Sequence, residues 1–179
     1  GGFDQRESEE FFGSEEPYLP LASRPDVLVF QTEPLIEDTE ITGPVSVRLW
    51  VSSSAVDTDF TAKLIDVYPA SSDYPEGYAL NLTDGILRVK FRDSWERPEP
   101  MVAGDIYQIE VGLLPIANLF VTGHRIRLDI SSSNFPRFDV NGNTGENPAK
   151  SAIRMPAVNR VYHDDVHHSY VLLSVVPGG

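Results

Sequence analysis

The beat of the apolar residues constrains this chain more than any other feature. Val45, Val47, Leu49 and Val51 alternate with Ser46, Arg48, Trp50 and Ser52, the period of two that a half-buried strand requires. The same beat runs through Leu87, Val89 and Phe91 against Arg88 and Lys90. It returns in Tyr107, Ile109, Val111 and Leu113, and again in Ile126, Leu128 and Ile130. Shorter runs rich in β-formers lie at 27–30, at Val161-Tyr162 and at 170–176. The 60–68 run is apolar on both faces (Phe60, Ala62, Leu64; Ile65, Val67), which predicts a central strand of a sandwich. Gly43-Pro44 and Gly123-His124 predict turns. Thr83-Asp84-Gly85 predicts a tight hairpin turn between strands at 78–82 and 86–91. The 114–120 stretch carries Pro115 and predicts an irregular crossing or a single helical turn. No stretch of ten residues has the 3.6 period of an amphipathic helix, so the crossover helices of a parallel sheet are missing. The expectation is an all-β fold of eight to ten short strands, an antiparallel β-sandwich with Greek-key or jelly-roll connections.

Composition decides what such a sandwich can and cannot do. The 179 residues suit one domain with an arm, large enough to hold a core without cross-links. Cysteine is absent, which excludes disulfides, thiolate zinc sites, iron–sulfur clusters and cysteine nucleophiles. With 27 acidic and 14 basic residues the formal charge is −13, which repels a phosphate backbone and excludes nucleic acid as a partner. The densest basic stretch, Arg88, Lys90 and Arg92, alternates along one strand and reads as a solvated face. No apolar run reaches the 18 residues of a membrane span. The opening Gly1-Gly2-Phe3-Asp4 has neither signal peptide nor initiator methionine, which suggests a processed chain or an excised fragment, with the cytoplasm as default location.

Residues 1–26 read as an acidic N-terminal arm or linker and 27–179 as the sandwich domain. In the arm, Asp4, Glu7, Glu9, Glu10, Glu15 and Glu16 face Arg6 alone over the first sixteen positions. Phe3, Phe11, Phe12, Tyr18 and Leu19 can anchor it, so it is either a loose linker or an arm that docks. A long connection at 132–159 is rich in Asn, Gly, Ser and Pro. Loops of that length are often functional or packed by their own side chains. Phe135, Pro136 and Phe138 beside Asn134, Arg137 and Asp139 form either a packed plug or a rim for a ligand or partner.

Catalytic and metal motifs are weak. The G-x-S-x-G elbow of α/β-hydrolases does not occur. Ser131, Ser132, Ser133, His124 and Asp129 belong to one strand and its approach, where neighbours alternate sides and do not converge as a triad. His163, His167 and His168 with Asp164 and Asp165 lack a third ligand and read as a polar turn. A calcium loop at Asp139, Asn141 and Asn143 fails, because its sixth and twelfth positions are Thr144 and Lys150. Gly142 and Gly145 do not form a phosphate loop, and Asn81-Leu82-Thr83 is a formal glycosylation sequon. No metal or cofactor is expected.

Longer blocks carry more information. They include Phe3-Asp4-Gln5-Arg6, Arg24-Pro25-Asp26-Val27-Leu28-Val29-Phe30, Glu33-Pro34-Leu35 and Thr42-Gly43-Pro44-Val45. Asp57-Thr58-Asp59-Phe60-Thr61-Ala62-Lys63-Leu64-Ile65-Asp66-Val67-Tyr68-Pro69 and Asn81-Leu82-Thr83-Asp84-Gly85 follow. Next come Thr122-Gly123-His124-Arg125-Ile126-Arg127, Ser131-Ser132-Ser133-Asn134-Phe135-Pro136-Arg137-Phe138-Asp139, Asn143-Thr144-Gly145 and Val161-Tyr162-His163-Asp164. In this order they resemble the C-terminal domain of the X-Pro dipeptidyl-peptidase and cocaine esterase (CocE/NonD) family of serine hydrolases, with which the α-amino-acid ester hydrolases are grouped. The resemblance runs from residue 3 to about 176.

The resemblance implies a jelly-roll β-sandwich of the galactose-binding-like type. It implies an α/β-hydrolase catalytic domain upstream in the parent chain, on which this domain packs and whose substrate pocket it bounds. No triad residue of the family maps here, so the isolated chain is expected to be inactive and the parent to be a serine hydrolase. An acidic insert at 7–20, an enlarged turn at 70–77 and the 148–159 stretch depart from the pattern and leave the subfamily and the parent's substrate open. Homo-oligomerisation is also left open. The competing reading is a carbohydrate-binding jelly-roll module, with Trp50, Trp95 and Tyr74 as candidate platforms.

The anchoring candidates follow from the same blocks. Asp57 and Asp59 flank Thr58 and can cap a turn's backbone donors. Arg125 and Arg127 are expected to pair across the sheet with Asp66 or Asp139. Arg137 and Asp139 are expected to pin the long loop, with Asn134, Phe135 and Phe138 beside them. On that pairing Asp139→Ala costs more than about 1 kcal/mol.

Overall fold

Every strand pair is antiparallel in the computed structural model, which describes residues 4–10, 14–147 and 150–177. The strands are β1 (Leu28–Gln31), β2 (Thr39–Ser53), β3 (Asp59–Tyr68), β4 (Tyr78–Arg88), β5 (Tyr107–Phe120), β6 (Arg125–Ser131), β7 (Asn159–Tyr162) and β8 (Tyr170–Val175). One sheet has the order β1-β6-β3-β4. In the other, β2 pairs β5 along one edge, while β7 and β8 share the opposite edge. β7 takes the Trp50–Ser53 end and β8 the Ile41–Arg48 part. The Ser169 hydroxyl joins the two segments: it donates to the Tyr162 carbonyl and accepts the Trp50 N–H. The architecture is an all-β, two-sheet sandwich. No helix among the described residues is long and apolar enough to cross a membrane.

The alternating residues make the core. Val45, Val47, Leu49 and Val51 of β2 pack with Ile109 and Val111 of β5 on one side of the interior. Phe60, Ala62 and Leu64 of β3 and Leu128 and Ile130 of β6 supply the other. β3 is central, as its two apolar faces predict. A register shift between Leu64 and Ile65, where Leu82 of β4 is the extra residue, leaves Ile65 fully buried as well.

Four local expectations are corrected. Thr83-Asp84-Gly85 is not a hairpin turn: it lies inside β4, paired with Leu64, Lys63 and Ala62. Gly85 is there for close approach, because a Cβ on it would run into the carbonyl oxygen of Gly112 on β5. The strand expected at 86–91 ends at Arg88, and Val89–Phe91 turn as one 3₁₀ segment. The 114–120 stretch is neither a crossing nor a helical turn but the continuation of β5. Pro115 falls in the gap between the Val45–Leu113 and Gly43–Ile116 pairs, opposite Pro44, on an edge strand where a missing N–H breaks no ladder. Gly43-Pro44 is accordingly a bulge within β2 rather than a turn.

The arm lies on the β4 edge of the first sheet. Asp4 bridges Leu80, the Gln5 N–H donates to the Ala79 carbonyl, and the Leu21 N–H donates to that of Gln5. Gln5 is buried, and its Oε1 accepts the Lys63 ammonium at 3.0 Å. Phe3, Phe11 and Phe12 lie outside the described residues.

Candidate functional site

The long loop returns to the sandwich over a seam of buried charge. Asp57, in the β2–β3 connection, and Asp59, the first residue of β3, are 0% and 1% exposed. Their partners come from the end of β4. Arg88 forks onto Asp59, with both N–H···O contacts at 2.9 Å, and that hydrogen bonding raises the guanidinium further above its ordinary range. The Lys90 ammonium sits 3.3 Å from Asp57, and the Lys90 backbone N–H donates to the same carboxylate at 3.2 Å. The alternation that suggests a solvated face fails here: the 3₁₀ turn after Arg88 buries Val89 and Lys90 together.

Loop residues complete the seam. The Asn141 amide donates to Asp59 at 2.7 Å and to Asp57 at 3.3 Å. The Asn141 carbonyl oxygen accepts the Asn143 N–H. Lys90 also donates to the Gly145 carbonyl at 2.9 Å. Asn159 donates to Thr58 Oγ1 at 2.9 Å and to Ser132 Oγ at 2.7 Å. Two carboxylates and two cations thus balance in a largely buried seam, and the loop is held at Ser132, Asn141, Gly145 and Asn159. Asp57 therefore serves a donor beyond its own turn, the Lys90 N–H thirty-three residues away.

The other candidates lie elsewhere on the first sheet or in the first part of the long loop, and their partners differ from expectation. Arg127 pairs with Asp129 in a fork of 2.8 and 2.7 Å, because residues two apart on a strand share a face. Asp66 is 1% exposed, with His124 Nδ1 at 2.8 Å and the Asn118 amide at 3.2 Å. Arg125 donates to the Thr32 carbonyl and lies 3.6 Å from Glu33. Neither arginine reaches Asp66 or Asp139. Arg137 pairs with Asp84 at 3.0 Å, and Asn134 donates to the same carboxylate at 2.7 Å. The Arg137 guanidinium also lies over the Phe138 ring at 5.6 Å, while Phe135 is exposed. Asp139 is exposed, and the arginine on which its charge acts is Arg88 of the seam. The acid that pins Arg137 is therefore Asp84, on the neighbouring β4, not Asp139.

That correction reverses a mutational expectation. Asp139→Ala changes stability by no more than about 0.5 kcal/mol. Asp84→Ala costs about 1–2 kcal/mol, discounted because Arg137 is half exposed. Urea unfolding of the two variants distinguishes the assignments.

The catalytic ingredients stand apart. The carboxylate beside His124 is Asp66, whereas Asp129 belongs to Arg127. Ser131 is at the far end of β6, about 20 Å along the strand at roughly 3.3 Å per residue. Its hydroxyl donates to the Ser133 carbonyl. Among the described residues no three His, Cys, Asp or Glu side chains converge to hold a metal ion.

Asp164 takes the Val166 and His167 N–H groups and lies 3.1 Å from His167 Nδ1, which closes the loop between β7 and β8. The backbone donors, first Val166 and then His167, lower its carboxyl to about 2. The stabilisation is therefore full above the ordinary carboxylate value of 3.8 and is lost as pH falls through about 2. A carboxyl-detected NMR titration is expected to place its midpoint near 2; a midpoint near 3.8 would mean those N–H bonds are not made.

The aromatic candidates do not form one platform. Trp50 meets the His167 ring edge-on at 5.1 Å, Tyr74 stacks on Tyr78 at 4.8 Å, and Trp95 stacks on Phe91 at 6.0 Å. Each belongs to a different element and leans on its own neighbour.

Comparison with known proteins covers the same span as the seam and the sandwich. A family model described as the X-Pro dipeptidyl-peptidase C-terminal non-catalytic domain matches residues 3–172. Cocaine esterase of Rhodococcus sp. (strain MB1 Bresler) is 45% identical over 159 residues, which are 88% of this chain and 27% of that protein. An aminopeptidase of the marine sediment archaeon Thaumarchaeota archaeon superposes with a TM-score of 0.79 at 30% identity, covering 87% of this chain and 27% of that one. An α-amino acid ester hydrolase does so with a TM-score of 0.79 at 35% identity, covering 87% and 26%. The chain thus spans about a quarter of the length of these relatives.

Proposed function

The chain belongs to the family of X-Pro dipeptidyl-peptidase C-terminal non-catalytic domains, and from that premise we propose that it is the accessory domain of a longer α/β serine hydrolase. Its work is to pack on the catalytic domain and to bound the substrate pocket, without a triad of its own. The strand order suits a jelly roll of the galactose-binding-like type, and we assign it to that group. The observation that carries the reading is the span of the match: nearly all of this chain, but only about a quarter of hydrolases such as cocaine esterase. The separation of His124 from Ser131 and Asp129 supports a non-catalytic role. In this reading Asp57, Asp59, Arg88, Lys90 and Asn141 hold the 132–159 loop as a rigid wall, and Asp84 with Arg137 and Asn134 fixes its first turn.

The experiment compares the 179-residue chain with the full-length protein encoded by its gene. Aryl esters, X-Pro anilides and α-amino acid esters are offered to both. The chain alone is expected to turn over none of them. The full-length protein is expected to hydrolyse at least one class and to be silenced by a serine-directed phosphonate that labels a residue outside this chain. Turnover by the chain alone, or label on Ser131, Ser132 or Ser133, would overturn the proposal.

A further inference from the structure

The sandwich is unfinished along one side. β1 pairs with β6 in the register Leu28↔Ile130 and Phe30↔Leu128. Directly opposed residues of antiparallel strands share a face. Ile130 is 1% and Leu128 9% exposed, so Leu28 and Phe30 also point to the core side. Yet they are 44% and 43% exposed. Across from them the second sheet offers only the short β7 and the start of β8.

The gap is an open apolar groove. On the Phe30 side it measures about 320 Å³, with Leu49, Ile126, Val161 and Leu173 in its walls. On the Leu28 side it continues as a cavity of about 480 Å³ of mixed lining, where Phe60 and Val158 meet Ser131, Asn141 and Asn159. Val161 lines both parts. β1 has no strand on its free edge among the described residues. A four-residue edge strand with three apolar side chains and no charge or proline lacks the usual defences against pairing. The apolar surface on the Phe30 side is of the kind that marks a contact site.

We infer that this groove is the seat of the hydrolase portion of the longer polypeptide, which inserts apolar side chains between β1 and β7–β8. The inference rests on the accessory-domain reading above and adds the face by which the domain docks. Three observations select the occupant. The relatives carry roughly three quarters of their length outside this domain, on the same polypeptide. A second copy is disfavoured, because each chain carries a formal charge of −13. The other faces are more polar: the arm lies on the first sheet through Gln5 and Lys63, and the outer face of the second sheet carries an exposed hydrogen-bonded and ion-paired row of Ser46, Glu110, Arg48 and Tyr170, with Leu172 beside it.

The test uses the full-length protein. This chain has no cysteine, so single thiols introduced into it report their own positions once labelling of the unsubstituted protein is subtracted. Leu28→Cys and Phe30→Cys probe the groove. Ile36→Cys and Trp95→Cys, at positions 93% and 74% exposed, serve as references, and Arg48→Cys probes the outer face of the second sheet. Maleimide labelling at positions 28 and 30 is expected to be at least about tenfold slower than at 36 and 95. Fast labelling at 28 and 30 with slow labelling at 48 or 95 would overturn the face and leave the accessory reading standing. Fast labelling at all five positions would overturn both. Slow labelling at 28 and 30 that becomes fast on dilution would assign the groove to a second copy and overturn the inference. Hydrogen exchange at the free-edge amides of Val29 and Gln31 in the unsubstituted protein makes the same decision should a variant fail to fold, since the alternate amides through Thr32 are already bonded to β6: protection at 29 and 31 supports the inference, and rapid exchange there overturns it.

Discussion

Replacing Asp57 by alanine is expected to lower the unfolding free energy by about 3–5 kcal/mol, because removing one partner of a buried ion pair strands the other. Asp57 is fully buried, and the Lys90 ammonium it faces is only 10% exposed at the side chain. Without that carboxylate, Lys90 keeps a single carbonyl acceptor, Gly145, and its backbone N–H loses its acceptor. Asn141 keeps Asp59 but loses its second contact. The loss thus spreads from the pair to the loop. The double variant Asp57→Ala/Lys90→Met is expected to recover much of it, since no charge is then left without a partner. Urea unfolding of the wild type, both single variants and the double variant measures this. A cost under about 1 kcal/mol for Asp57→Ala, or a double variant as unstable as the sum of the singles, would show that the seam does not hold the fold.

Gly85→Val is the second large effect, with a cost of about 3 kcal/mol or more. Strand propensity alone predicts the opposite sign, because valine suits a strand better than glycine. Packing decides against propensity here. Any Cβ at position 85 presses on the Gly112 carbonyl oxygen, and backbone cannot yield as the end of a side chain does. The two strands must separate, and Thr83, whose hydroxyl donates to the Leu114 carbonyl nearby, is drawn away with them. For a domain of this size the loss corresponds to a fall of about 6–12 °C in Tm. Gly112→Ala is the control, since a Cβ there meets nothing within 4 Å. An unchanged melting temperature for Gly85→Val would mean that β4 and β5 do not approach so closely.

These two sites show what a one-dimensional reading can and cannot reach. The period of two identified β2, β5 and β6 because alternation is a local property: each side chain's face follows from its neighbours alone; β3 and β8 were legible as runs of β-formers, which is local too. The absence of helical periodicity excluded a parallel architecture for the same reason, and composition excluded cysteine chemistry. Asp57 and Asp59 stood out within a long block before a strand. Their partners did not, because Lys90 and Asn141 lie 33 and 84 residues from Asp57.

Asp-Gly at 84–85 was read as a turn because that dipeptide serves turns locally. Its actual reason, a neighbouring strand 27 residues further on, has no local signature. The same holds for Arg88 and Lys90, whose alternation looked solvated until a 3₁₀ turn and the returning loop enclosed them. Ion pairs choose the nearest carboxylate in space: Arg127 took Asp129, two residues along its own strand, and Arg137 took Asp84 on β4, where the path of the loop sets the distance. The exposed core-side face of β1 is likewise invisible in its sequence, where three consecutive apolar residues promise burial. The strands of this protein were therefore legible from local periodicity, whereas its seam, its close approach and its open groove arise from contacts that only a closed sandwich brings together.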